Sequence, residues 1–174
     1  MNKKLTLWAV ILTIVVVASA IYFVGCTQKQ PMPTLPEGYN WYHNDEFGYK
    51  IAYPESWTVV PQEQIGLGEG MEQCQIFQDP DTPNSINVTV NSEYDIEGLK
   101  TLAGMGVIIS GRDVVINGRE GYEAIMEPAP VARMKIVAFV VNDKYYVIAC
   151  FTSADLWDEY VATFDNAIDS FVIE

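Results

Sequence analysis

Residues 107–151 carry two Asn-containing turns between apolar runs, and they restrict the fold more than any other part of the chain. Asn117-Gly118 separates residues 107–116 from residues 122–126. A two-residue type I′ turn needs positive φ at both central positions, which Asn and Gly tolerate. Asn142-Asp143-Lys144 separates residues 134–141 from residues 145–151. Both spacings predict antiparallel hairpins. The second hairpin is apolar on both faces: Met134, Ile136, Ala138 and Val140 on one, Val137, Phe139 and Val141 on the other. A strand covered on both faces needs a layer above and a layer below its sheet.

The remaining pattern supplies those layers. Phe47, Tyr49, Ile51 and Tyr53 alternate as in a strand, which Pro54 ends because it has no N–H for a ladder. Short strands are predicted at residues 57–60, 73–77 and 86–90, the last two joined by the turn-rich segment DPDTPNS. Residues 92–105 are predicted to form a helix. Ser92 and Asp95 suit its start, and Ile96, Leu99, Leu102 and Ala103 share one face. A second helix follows from the stripe Trp157, Tyr160, Val161, Phe164, Ile168 and Phe171. Ser153 or Asp155 suits its cap, and Asp155, Asp158 and Glu159 sit at the positive end of its dipole. Strands, helix, strands, helix make an α+β fold on a mostly antiparallel sheet.

The N-terminus is a separate problem. Lys3 and Lys4 precede an uncharged apolar run from Leu5 to Gly25. Positive charge ahead of such a run keeps that end in the cytoplasm and places everything after it outside. The run is long enough to cross a bilayer, which takes about 20 residues. Its end, Phe23-Val24-Gly25-Cys26, is similar to a lipoprotein lipobox, with Phe23 where Leu is usual. Residues 1–25 are therefore expected to be a cleaved signal peptide or a retained membrane anchor, with Cys26 as the site of lipid attachment in the first case. Pro31, Pro33 and Pro36 stiffen residues 26–40 into a linker. Residues 41–174 form the folded domain. Either way, the expected location is the outer face of the cytoplasmic membrane, lipid-anchored or held by a single transmembrane helix.

Charge narrows the partners. The 174 residues contain 10 Lys and Arg against 23 Asp and Glu, a net charge of −13. Without residues 1–25 the two lysines are lost and the chain stands at −15. Nucleic-acid binding depends on neutralising phosphates with cations, so a nucleic-acid partner is excluded. A cation or a basic protein partner suits this balance.

The order Phe47-Gly48-Tyr49, Tyr53-Pro54, Trp57, Asn117-Gly118-Arg119-Glu120-Gly121-Tyr122, Tyr145-Tyr146-Val147-Ile148, then Phe164, Ile168 and Ser170-Phe171 resembles the PsbP-like domain. This is the domain of the extrinsic PsbP subunit of photosystem II and its prokaryotic relatives, many of them lipoproteins. The resemblance spans about residues 39–174 and implies an α-β-α sandwich around a central antiparallel sheet. It also implies docking to a membrane complex and, in the plant proteins, retention of calcium and chloride. Plant docking uses basic side chains, whereas this domain is acidic. The plant histidine linked to cofactor retention has no counterpart beyond His43, the only histidine here.

Other motifs carry less chemistry. Cys74 and Cys150 fall on predicted strands and are read as small buried apolar residues, with a disulfide as the alternative. Asp79 and Asp81 are the only metal candidates. Two carboxylates in a turn fall short of the six to eight oxygens calcium takes, and a turn favours Asp in any case. Glu93, Asp95 and Glu97 suit a helix start. A lone His43 cannot join a His/Cys zinc cluster or complete a hydrolase triad. Gly66, Gly68 and Gly70 lack the spacing and the following helix of a dinucleotide loop. Asn87-Val88-Thr89 matches a glycosylation pattern, but on a strand. Trp41, Tyr42, Phe47, Tyr49, Tyr53 and Trp57 are read as packing, with a binding groove as the alternative.

The function expected is that of a membrane-tethered, non-catalytic module that binds or assembles with an envelope protein and needs no cofactor. The alternatives are an envelope lipoprotein that binds a small molecule or calcium, and a relative of the photosystem II extrinsic subunit. An enzyme is not expected.

Overall fold

The computed structural model describes residues 32–67, 71–92, 96–104, 108–129 and 131–174. Among these residues ten strands and two helices run in the order β1 (Tyr39–Asn44), β2 (Tyr49–Pro54), β3 (Thr58–Val59), β4 (Met71–Gln78), β5 (Ser85–Asn91), α1 (Ile96–Gly104), β6 (Ile108–Ile116), β7 (Arg119–Ala129), β8 (Ala132–Val141), β9 (Lys144–Ser153), α2 (Trp157–Ser170) and β10 (Val172–Ile173). Seven strands form one sheet in the order β3-β4-β5-β9-β8-β7-β6, and β1-β2-β10 form a second. All their pairings are antiparallel.

Both expected hairpins form. Asn117 and Gly118 take φ of 48° and 72°, and Asn142 and Asp143 take 52° and 62°. Each turn thus has two consecutive left-handed residues, whose twist matches that of the flanking strands. Lys144 belongs to β9 and pairs with Val141.

The large sheet separates two apolar layers. On one face, Ile86, Val88, Val90, Val137, Phe139, Tyr146, Ile148 and Cys150 meet Phe164, Ala167 and Ile168 of α2 and Tyr49 and Ile51 of β2. Phe164 is completely buried. Truncating such a side chain to Ala costs about 3–5 kcal/mol. On the other face, Ile96 and Leu99 of α1 pack on Tyr122, Ala124 and Met126. This is the α-β-α arrangement, with the small sheet added beside α2.

Three details depart from the sequence-based expectation, and two further ones concern the helix bounds and the cysteines, which are expected to be free and buried. The second sheet was not expected: β1 begins at Tyr39, inside the predicted linker, and β10 follows α2 directly and pairs with β2. Val140, expected in the core, is 45% exposed near the end of β8, while Val137 and Phe139 are buried. A 3-10 turn at Ala154–Leu156 precedes α2, and no side chain caps either one. The helix placed at residues 92–105 is described over Ile96–Gly104, and residues 93–95 with their proposed cap lie outside the described residues. Cys74 and Cys150 are free. Cys74 pairs with Thr89, which pairs with Val147, so it shares a face with Val147, whereas Cys150 lies on the opposite face. The sheet stands between the two thiols and rules out a bridge.

Two glycines are set by close approach. A Cβ on Gly121 would stand 2.6 Å from the Ala138 carbonyl oxygen, and one on Gly111 would meet the Tyr122 hydroxyl. These gaps let β7 lie close to β8 and let Tyr122 cross β6.

Candidate functional site

Cys26 and residues 1–25 lie outside the described residues, as do Gly68, Gly70, Glu93 and Asp95. Among the described residues no helix is long and apolar enough to cross a membrane. His43 is exposed on β1. The aromatic cluster is mostly packing. Tyr49 and Trp57 are buried, Tyr53 stacks on Phe77 at 4.7 Å, and Tyr42 meets Phe77 edge-on at 5.3 Å.

Asp79 follows β4 and serves the fold. Its Oδ1 accepts the Asp81 N–H at 3.0 Å, and its Oδ2 accepts the Thr82 hydroxyl at 2.9 Å and the Tyr160 hydroxyl at 2.8 Å. Burial alone would raise its pKa, but these donors outweigh burial and hold the carboxyl below its ordinary range. The contact from Tyr160 ties the β4–β5 turn to α2. Asp81 is exposed. No group of three or more His, Cys, Asp or Glu able to hold a metal occurs among the described residues.

A charged cluster that the sequence analysis did not single out sits between the large sheet and α2. Arg112 on β6 stands opposite Glu123 on β7, and its Nε donates to Glu123 Oε1 at 2.8 Å. Lys135 on β8 places Nζ 3.0 Å from Glu123 Oε2 and 2.5 Å from Asp165 Oδ1 on α2. Burial would raise the Glu123 pKa, but Lys135 and Arg112 outweigh it and hold it low. Burial would lower the Lys135 pKa, but Asp165 and Glu123 outweigh it and hold it high. The neighbouring Asp169 is held above its ordinary range by burial and by Asp165. The signal was present in the sequence, since Lys135 has the parity of core residues Val137 and Phe139.

Beside this cluster, β6 forms the outer edge of the large sheet. Its turn is clamped from within. Asn117 Nδ2 donates to the carbonyls of Asp169 and Phe171, each at 2.8 Å, and Arg119 Nη2 donates to the Ile173 carbonyl at 2.7 Å. Next to the turn, Asp113, Val114, Val115, Glu120 and Gly121 line a concavity of about 350 Å³. Glu120 is exposed, and among the described residues Asp113 makes one ion-pair contact, with Lys100 at 3.8 Å. Rigid strands thus present two carboxylates beside exposed valine. That arrangement can hold a cation-bearing side chain.

No protein-family model and no curated protein sequence matches the chain. Solved structures do. Cyanobacterial PsbP from Synechocystis sp. PCC 6803 superimposes with a TM-score of 0.58 at 18% identity, covering 83% of this chain and 99% of that one. A Bacteroides thetaiotaomicron VPI-5482 protein reaches 0.51 at 12% identity, covering 79% of this chain and 49% of its own. A Pseudomonas aeruginosa protein of unknown function reaches 0.50 at 10% identity, covering 78% and 97%. At such identities the likeness establishes the fold, and the fold is PsbP-like.

Proposed function

We propose that this PsbP-like domain is a membrane-tethered, extracytoplasmic module that binds an envelope protein and carries out no chemistry of its own. One observation carries the proposal: among the described residues, the buried ionisable side chains Asp79, Glu123 and Lys135 are held by partners within the fold. Glu123 and Lys135 hold each other, and Arg112 and Asp165 complete the set. Asp79 is occupied by three donors. Cys150 is fully enclosed, and burial raises its pKa, which leaves it a poor nucleophile. General acid-base or nucleophilic catalysis needs such a group aimed at a substrate.

The tether rests on the sequence. Leu5 to Gly25 is uncharged and follows two lysines, and Cys26 ends a lipobox-like segment. A lipid anchor of two acyl chains supplies about 0.8 kcal/mol per buried CH₂ and holds a domain stably at a bilayer. The strong negative charge favours a basic face on the partner.

The test is affinity recovery of the tagged full chain from detergent-solubilised membranes. The expected result is the same envelope protein in replicate preparations. Recovery of no reproducible partner overturns the proposal.

A further inference from the structure

We infer that β6 is a docking edge that takes up an extended, basic and apolar segment of a partner polypeptide as an added strand. The inference deepens the binding role proposed above and rests on it.

The outer edges of the two sheets are not equivalent. β3 is two residues long and is followed at once by Pro61 and a 3-10 turn, which leaves little to pair with. β1 presents exposed polar residues, Asn40 and His43. β6 is nine residues long, contains no proline, and has no outer neighbour among the described residues. A bulge at Ile109 interrupts its ladder with β7, and from Ser110 to Ile116 the register is unbroken. Seven residues at about 3.3 Å each give an edge of about 23 Å. Folded proteins protect such edges with proline, outward charge or a cover, because the unpaired N–H and C=O groups template another strand. Here Arg112 is bound to Glu123, and Val115 is left 68% exposed.

Charge selects the occupant. The concavity beside Val115 carries the carboxylates of Asp113 and Glu120 on a domain of strongly negative charge. A strand whose backbone pairs with β6 would place alternate side chains along this strip. Lysine or arginine there meets the carboxylates, and a β-branched residue covers Val115. In strand addition the backbone supplies affinity and the alternate side chains supply specificity. A second copy of this chain fits less well. It would bring a second domain of the same strongly negative charge against this edge, which like-charge repulsion opposes.

The test uses the isotope-labelled full chain in detergent and two synthetic peptides: a Lys-Val peptide of repeating Lys-Thr-Val-Thr, which puts Lys and Val in turn on one strand face, and a Glu-Val peptide with Glu in place of Lys. The Lys-Val peptide is expected to shift the amides of residues 110–116 and slow their exchange. Binding is expected to fall about ten-fold or more for the Glu-Val peptide and for Val115→Lys, whose exposed position spares the fold. Shifts spread over the acidic surface, shifts at another edge, or no shift would each overturn the β6 assignment. So would concentration-dependent shifts at β6 without peptide, which would make a second copy the occupant. The broader binding role is judged separately by partner recovery from membranes, so the two failures are distinguishable.

Discussion

Lys135 on β8 lies 3.0 Å from Glu123 on β7, and both side chains are about nine-tenths buried. With Arg112 and Asp165 they join three strands of the sheet to the C-terminal helix. Removing one member of a buried pair leaves an uncompensated charge, which typically costs about 3–5 kcal/mol. Lys135→Met is therefore expected to lose about 3 kcal/mol in urea unfolding. Adding Glu123→Leu should restore most of it, because an apolar pair replaces the ionic one. A single variant as stable as the parent would show that the pair does not hold the helix.

The same groups set the pH response. Glu123 and Asp79 titrate below the ordinary carboxyl range when folded, so their contribution is present above the unfolded value of about 4 and is lost as pH falls through the folded values. Lys135 titrates above the ordinary lysine range, so its contribution is present below about 10.4 and is lost as pH rises through the folded value. Asp169 works in the opposite sense, since its raised pKa makes its ionisation unfavourable to folding. Thermal denaturation should give a Tm plateau from about pH 5 to pH 10 with a fall on both sides. In Lys135→Met the alkaline fall should shrink, and the acid fall should shrink as well, because Glu123 loses a partner that holds its pKa low.

The close approach at Gly121 predicts a steric cost. Its Cβ would meet backbone, the Ala138 carbonyl oxygen, as well as the Phe139 ring. Gly121→Ala is expected to destabilise by about 2–3 kcal/mol, in the range of overpacked cores. Gly111→Ala should cost less, because the Tyr122 hydroxyl it meets is the end of a side chain that can turn. Equal Tm values for Gly121→Ala and the parent would contradict this packing.

Asp79 predicts indifference to calcium. Protein donors already occupy both of its oxygens. Adding millimolar calcium, or removing it with a chelator, should leave the Tm unchanged. Tyr160→Phe should cost about 1.5–3 kcal/mol, the range for a hydrogen bond to a charged group. A calcium-dependent rise in Tm would restore Asp79 and Asp81 as ligands.

The cysteines report on the anchor. Cys74 and Cys150 are free and buried, so a thiol reagent should react slowly with the native chain. In denaturant the membrane-extracted protein should expose two reactive thiols if Cys26 is acylated and three if it is not.

The strands and helices around the core were legible because hydrophobic period and turn chemistry are local. Asn117-Gly118 placed one hairpin, and the stripe from Trp157 to Phe171 placed α2. The second sheet was not legible, because β10 is two residues long and acquires its identity only by pairing with Tyr49 and Lys50. The role of Lys135 depends on residues 12 and 30 positions away. Its parity hinted at burial, but its partners follow from topology. The exposed edge at β6 was hidden for the same reason, since no local pattern states which strand is outermost.

Affinity recovery from solubilised membranes, comparing the parent chain with Val115→Lys, tests the central claim most directly. The account predicts one envelope protein that is recovered reproducibly with the parent and about ten-fold less with the variant. Recovery of no reproducible partner with the parent chain would contradict the account.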